Sequence, residues 1–181
     1  MTRPEGDIAW YVLRVTYQRE LSTKELLDKL DIENFVPFRT VRRRNSKGQF
    51  YRTLEAVLHN YIFVRSTKRV IDDLKKFRLP ILRYVVFPRD GENRIMTVPD
   101  DQMRHFIAVA GSLDERVLFL SPADVDLTKG DRVRITGGVF EGVEGVFMRV
   151  KNAKERRVVV QINGVAAVAT ASIPSTLVEK I

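Results

Sequence analysis

The 181-residue chain contains no cysteine. That absence excludes disulfides, thiolate metal sites and thiol nucleophiles, and it fits a reducing compartment. Histidine is nearly as scarce: the chain has two, His59 and His105, in unrelated segments. No His/Asp/Glu cluster has metal-ligand spacing, no glycine-rich loop has the phosphate-cradling pattern, and no serine sits in a nucleophile elbow. Catalytic residues, metal and cofactor are therefore all expected to be none. Long apolar runs are missing too. Nothing approaches the roughly 20 residues a membrane helix needs, and MTRPEGDIAW has no signal-peptide core. The expectation is a cytoplasmic monomer that acts by binding, with no membrane partner.

What is present is a globular composition, 44% hydrophobic and 30% charged. The formal net charge of +8 is distributed unevenly. Residues 1–112 hold 21 Lys/Arg against 14 Asp/Glu, whereas residues 113–181 hold 10 against 9. A one-sided positive field attracts nucleic acid or an acidic protein surface. Ordinary solubility charge is the alternative.

Periodicity orders the first part as β-α-β-β-α-β-α. WYVLRVTY (10–17) has a buried-strand character. Ser22 lies three residues before Glu25, the capping-box spacing, and Leu26, Leu27 and Leu30 follow on one helical face ending near Ile32. FVPFRTVRRR (35–44) is strand-like with Pro37 placing it at an edge, NSKGQ (45–49) is a turn, and residues 50–66 return as an extended segment. Val70, Ile71, Leu74 and Phe77 mark a second helix capped by Ser66 or Thr67. ILRYVVF (81–87) is a strand, RDGEN (89–93) a turn, and Pro99-Asp100-Asp101 opens a third helix carrying Met103, Phe106, Ile107 and Ala110. Such an order implies an α+β domain, an antiparallel sheet flanked by helices.

Residues 113–126 read as a linker. Beyond them the pattern is all β, with strands at 131–136, 143–150, 157–162, 165–170 and 176–180 and a hairpin signal at Asn163-Gly164. GDRVRITGGVFEGVEGV (130–146) punctuates this region with glycines where a Cβ would clash. Five short strands in about 55 residues suggest an SH3-like five-stranded barrel. Val133, Ile135, Val146, Val158 and Val160 are its expected filling.

Trp10-Tyr11, the strand Asn60-Tyr61-Ile62-Phe63-Val64 after a basic hairpin, the Pro99-Asp100-Asp101-Gln102-Met103 helix start and the 130–146 motif come in one order. In that order they resemble the NusG family of transcription elongation factors, over roughly residues 8–181. The resemblance implies an N-terminal NGN domain at 8–112, a linker at 113–126 and a KOW β-barrel domain at 127–181. The hairpin and the Asn60 strand are more similar to specialised RfaH-like and UpxY-like antiterminators, because the housekeeping factor tends to carry glycine where Asn60 stands. A KOW-containing ribosomal or rRNA-binding protein, and the housekeeping factor itself, are the alternatives.

By that resemblance, Tyr61 and Phe63 belong to an aromatic hollow that docks on the clamp helices of RNA polymerase. Alternate strand residues share a face, so these two project together. Both also suit the core of a mixed sheet, and the residues alone leave the two readings open. Arg14 stands where RfaH-like proteins carry an aromatic and is available to pair with an acidic clamp-helix side chain. Arg39, Arg42, Arg43, Arg44, Lys47 and Arg52, interleaved with Phe50 and Tyr51, combine phosphate attraction with stacking platforms for non-template DNA or nascent RNA. A hairpin charged merely for solubility is the other reading. Lys75, Lys76 and Arg78 form a second basic cluster, in a neighbourhood that faces the non-template strand in RfaH-like relatives. Asp72-Asp73-Leu74 stand where those relatives carry a His-Thr-Thr gate-loop motif. In the barrel, Gly145 matches the KOW glycine. Phe140, Phe147 and Ile162 are candidate contacts for a ribosomal protein or Rho, or else barrel core. Some paralogues refold this domain into helices, whereas the β-branched run at 158–170 favours strands here.

Overall fold

β1 (Ala9–Val15) is the strand on which the first part of the molecule is assembled. The computed structural model describes residues 6–112, 114–151, 153–162 and 164–181, with Asp124 described by its backbone alone. Contacts divide the chain into two units, Met1–Asp100 and Asp101–Ile181.

In the first unit, β1 pairs antiparallel with β5 (Tyr61–Ser66) on one side. On the other it pairs with β6 (Leu82–Tyr84) and β9 (Thr97–Val98). The two-residue β2 (Asn34–Phe35) lies at the edge beyond β5, just before Pro37, as a proline near a strand requires. Five strands, all antiparallel, make up this sheet. Period-two alternation then divides β1. Ala9, Tyr11, Leu13 and Val15 enter a core with Ile62, Val64 and Leu82 from neighbouring strands. Leu27 and the pair Ile71 and Leu74 complete it from the helices α1 (Glu20–Lys29) and α2 (Lys68–Phe77). Trp10, Val12 and Arg14 take the opposite face.

Both helices start differently in detail from their sequence patterns. α1 begins at Glu20, so Ser22 lies inside the first turn and its hydroxyl donates to the Arg19 carbonyl at 3.2 Å. The Ser22/Glu25 capping box does not form. The first turn is held instead by Glu20, a buried carboxylate that accepts the Asn60 N–H at 2.5 Å. α2 does carry the expected cap: the Thr67 hydroxyl accepts from the Val70 N–H at 3.3 Å. Its buried stripe is narrower than the apolar spacing suggests. Ile71 and Leu74 are buried, whereas Phe77 is 69% exposed.

The extended segment expected over 50–66 is broken. β4 (Phe50–Ala56) pairs with β3 (Phe38–Arg44) in a separate two-stranded ribbon, and the chain turns before β5 at Asn60, whose φ is +68°. Likewise 81–95 divides into β6 and a short ribbon of β7 (Val86–Arg89) and β8 (Glu92–Ile95), closed by Asp90 and Gly91 in the left-handed region.

In the second unit, α3 (Asp100–Ala110) is hydrogen-bonded to the strands that follow. The Gln102 side-chain amide donates to the Gln161 carbonyl at 2.6 Å, and His105 Nδ1 accepts the Glu144 N–H at 3.3 Å. The expected barrel strands form as β11 (Asp131–Ile135), β12 (Glu144–Arg149), β13 (Arg156–Ile162), β14 (Ala166–Ala169) and β15 (Val178–Lys180). They make an all-antiparallel sheet. Within 113–126, β10 (Leu118–Leu120) adds a sixth strand against β14. Asn163 of the β13–β14 turn lies outside the described residues; Gly164 there has φ +71°.

The register corrects one member of the expected barrel filling. Val133 pairs with Gly145, so Val146 lies opposite Arg132 and points to the other side of the sheet. There it clusters with Met148, Val159, Ala167 and Ala169. Apolar side chains therefore cluster on both faces of this sheet.

At Gly145 the neighbouring strand leaves no room for a side chain. A Cβ built on this glycine would stand 2.5 Å from the Val159 carbonyl oxygen, a backbone atom that cannot rotate away. Gly145→Ala is expected to cost about 1–3 kcal/mol or more, read as a lowered urea midpoint. His105 supplies a pH dependence. Burial lowers its pKa, with Glu144 and Asp101 opposing the shift and Arg104 and Arg134 reinforcing it. Because the folded state binds this proton less readily, its stabilisation is complete at neutral pH. It begins to be lost near the unfolded value of about 6.5 and goes on being lost as pH falls through the lower folded value. The thermal midpoint should fall between pH 7 and about 5.5, and His105→Gln should flatten that slope.

Candidate functional site

The sheet face bearing Trp10, Val12 and Arg14 is chemically graded along its length. Register sets the grade: Trp10 opposes Arg65, Val12 opposes Phe63, and Arg14 opposes Tyr61. At one end Arg65 is held by Asp100 at 3.2 Å and Glu33 at 3.3 Å. In the middle Phe63 is fully buried, its ring 6.4 Å from that of Phe35. At the other end Arg14 is exposed and Tyr61 half-buried. The Arg14 guanidinium lies 5.7 Å from the Tyr61 ring centroid and donates to its hydroxyl at 3.3 Å.

Tyr61 and Phe63 therefore share a face, as their spacing predicts, but only Tyr61 reaches solvent. Arg14, expected to be available for an acidic partner, is turned onto Tyr61, and the two form one cation–aromatic unit. Around them lies a shallow hollow of about 480 Å³, lined also by Tyr17, His59 and Asn60. Its rim depends on unusual backbone. Tyr17 and Gln18 both have positive φ, 63° and 53°, which turns the chain sharply after β1 and leaves the Tyr17 ring 82% exposed. The Val15 N–H donates to the Asn60 carbonyl at 2.9 Å, so the two sides of the hollow are tied together. Tyr17 had no signal in the sequence beyond being aromatic.

The β3–β4 ribbon carries Arg42, Arg43, Arg44, Lys47, Tyr51 and Arg52, all exposed. One of its arginines is neutralised: Arg43 pairs with Glu55 at 2.6 Å, and that contact holds the Glu55 carboxyl below its ordinary pKa. Phe50 is a platform for the others, with the Arg42 guanidinium 4.0 Å and that of Arg44 5.7 Å from its centroid.

The second basic cluster is more fully engaged. Lys75 lies 4.1 Å from the Tyr84 centroid and 3.9 Å from Asp72, and Asp72 also accepts from the Tyr84 hydroxyl at 3.0 Å. Lys76 covers the exposed Phe77 at 4.9 Å, and Arg78 follows as the exposed C-cap of α2.

Comparison with known proteins bears on the segment that holds these features. Residues 8–107 match the family model described as "Transcription termination factor nusG", which spans β1 through most of α3. The chain belongs to the NusG family. Members of that family are transcription factors rather than enzymes, and they bind RNA polymerase. No curated protein matches the chain. Among solved structures, one titled "Domain interaction in Thermotoga maritima NusG" is 23% identical, covers 97% of this chain and 98% of its own, and superposes with a TM-score of 0.45.

In this NusG-family chain the barrel residues expected to meet a partner, Phe140, Phe147 and Ile162, are buried at 4%, 5% and 1% exposure. Phe147 is also covered by the Arg156 guanidinium, 5.1 Å from its centroid. Among the described residues of this unit the most exposed large apolar side chain is Val139, the neighbour of Phe140, on a loop bounded by Gly138 and Gly142 in left-handed conformation. Among the described residues no group of His, Asp and Glu is arranged to hold a metal ion, and no helix is long and apolar enough to cross a membrane.

Proposed function

We propose that this chain is a bacterial, cytoplasmic transcription elongation factor with antitermination activity. In this reading it serves particular operons and binds the clamp helices of RNA polymerase through the Arg14–Tyr61 end of its central sheet. The observation that supports the reading is a coincidence: the family-matched segment also presents an exposed, preorganised cation–aromatic pair beside a hollow. A tyrosine supplies apolar area with a polar tip, and a planar guanidinium supplies directed donors for helix carboxylates. Phe63 acts as the buried support beneath that surface.

Residues 8–112 then form the polymerase-binding module, 113–126 the connection and 127–181 an adaptor for a ribosomal protein or Rho. The basic hairpin, with Lys76 and Arg78, adds contacts to non-template DNA or nascent RNA. No chemistry is required. A factor that binds the elongation-competent clamp more tightly than the paused clamp shifts the population toward elongation by its differential affinity.

Testing the surface requires variants that leave the core intact. Phe63→Ala does not qualify, because emptying a fully buried phenylalanine site costs about 3–5 kcal/mol. Arg14→Glu combined with Tyr61→Ala removes the exposed guanidinium and the half-buried phenol and leaves the fully buried side chains in place. It is expected to weaken binding to RNA polymerase core enzyme at least about tenfold, roughly 1.4 kcal/mol, with an unchanged thermal midpoint. It should also restore pausing in a single-round elongation assay. Wild-type affinity in the double variant would remove the surface from consideration.

A further inference from the structure

The β3–β4 ribbon has two faces, and its register assigns every arginine of the two strands to one or the other. Arg42 opposes Arg52, Arg44 opposes Phe50, and Thr40 opposes Leu54; these share one face. Arg43 opposes Tyr51 and Arg39 opposes Glu55; these share the other. The second face contains its own counter-ion, with Arg43 bound to Glu55 at 2.6 Å and Arg39 adding to the field on that carboxylate.

The first face has no acid at all. Two arginines stand directly across the ladder from one another, an arrangement that destabilises a strand pair. A third guanidinium, Arg44, shares the Phe50 ring with Arg42. Stacking fixes the plane of Arg42 and leaves its N–H edges available, which suits bidentate capture of a phosphate. The apolar groups there are exposed as well, Phe50 at 59% and Leu54 at 53%. Arg42, Phe50 and Arg52 line a shallow hollow that Tyr51, although it belongs to the other face of the ladder, also borders. A duplex presents phosphates outward and keeps its bases stacked, so it leaves such apolar surface unused. An unpaired strand offers both phosphates and the faces of its bases.

We propose that the Arg42/Arg44/Phe50/Arg52 face of the ribbon binds single-stranded nucleic acid, and that the Arg43–Glu55 face is a neutralised back which takes no part. The proposal rests on the nucleic-acid reading of the hairpin given above and narrows it to one face and one form of the polymer. The unrelieved repulsion between Arg42 and Arg52 is the cost of holding a phosphate site open. Single-strand binding should relieve it.

The test uses the full chain and a fluorescein-labelled oligothymidylate of roughly 20 nucleotides, longer than one binding site of this kind, with a duplex of equal length as comparison. Arg42→Gln with Arg52→Gln is expected to weaken oligothymidylate binding about tenfold or more. The slope of log K against log salt should fall by about 1.4, or 0.7 for each of two phosphate contacts. The same variant should melt no lower than wild type, since it removes a like-charge pair. Phe50→Ala should weaken the single strand several-fold with little effect on the duplex, and Arg43→Gln should stay within twofold of wild type. Equal losses from Arg43→Gln and from the double variant overturn the assignment of faces. Tighter binding of the duplex, or equally effective competition by poly-glutamate, overturns the choice of single-stranded nucleic acid. If replacing Arg39, Arg42, Arg43, Arg44 and Arg52 together by Gln leaves oligothymidylate binding intact, the hairpin reading itself falls.

Discussion

The antiparallel register between β1 and β5 is the constraint on which the first unit depends. A slip by one residue would exchange the two faces of every paired side chain. Leu13 opposes Ile62 toward the helices, and Arg14 opposes Tyr61 on the other face, so the same ladder seats the core and aims the exposed pair. The register is secured just beyond the strand ends. Asn60 turns in the left-handed region, where asparagine is better tolerated than most residues. Its carbonyl accepts from Val15 and its N–H is taken by Glu20. A carboxylate buried at the start of α1 is thereby satisfied by the backbone of the segment that enters β5. Loss of that tie would loosen helix, turn and hollow together.

Charge in this unit is arranged at two levels. Where cations serve the fold they are paired: Arg65 with Asp100 and Glu33, Lys68 with Asp72, and Lys75 between Asp72 and the Tyr84 ring. Such pairs are exposed or half-exposed and contribute little individually. They matter because they withdraw those cations from the surface field. Three of the cations that remain, Arg42, Arg44 and Arg52, share one face of a two-stranded ribbon apart from the main sheet.

Local patterns in the sequence located the elements well and their junctions less well. The alternation of β1, the Thr67 cap of α2, the Pro99 start of α3 and the antiparallel strands of the C-terminal region all follow from short-range rules, and all appear. The failures share a cause. Ser22/Glu25 has capping-box spacing, but the N-cap is Arg19, three residues before Ser22, and Glu20 at the helix start finds its partner in Asn60, 40 residues away. The extended run at 50–66 is cut by a turn whose purpose is to carry the chain from the ribbon into the sheet. Phe63 and Tyr61 share a face by periodicity, yet burial of one and exposure of the other depends on what lies across the strand. Arg14 illustrates the same limit: its position in the strand was readable, its stacking on Tyr61 was not.

Four of the five glycines in the segment at 130–146 are of two kinds. Gly130 and Gly145 are required by close approach. A Cβ on Gly130 would stand 2.5 Å from a Val146 methyl and 2.9 Å from the Phe147 carbonyl, as one on Gly145 would meet the Val159 carbonyl. Gly138 and Gly142 instead have positive φ with open space around them, so their role is conformational. The first pair lets strands of a small sheet pack backbone against backbone. The second pair shapes the loop that lifts Val139 into solvent while Phe140 beside it turns inward. Spacing alone does not separate these roles, since both leave glycine as the best residue. A motif that reads as one signature thus divides into a part that closes the sheet and a part that presents a side chain. An apolar contact by this unit would begin at Val139, the exposed neighbour of the more conspicuous aromatic.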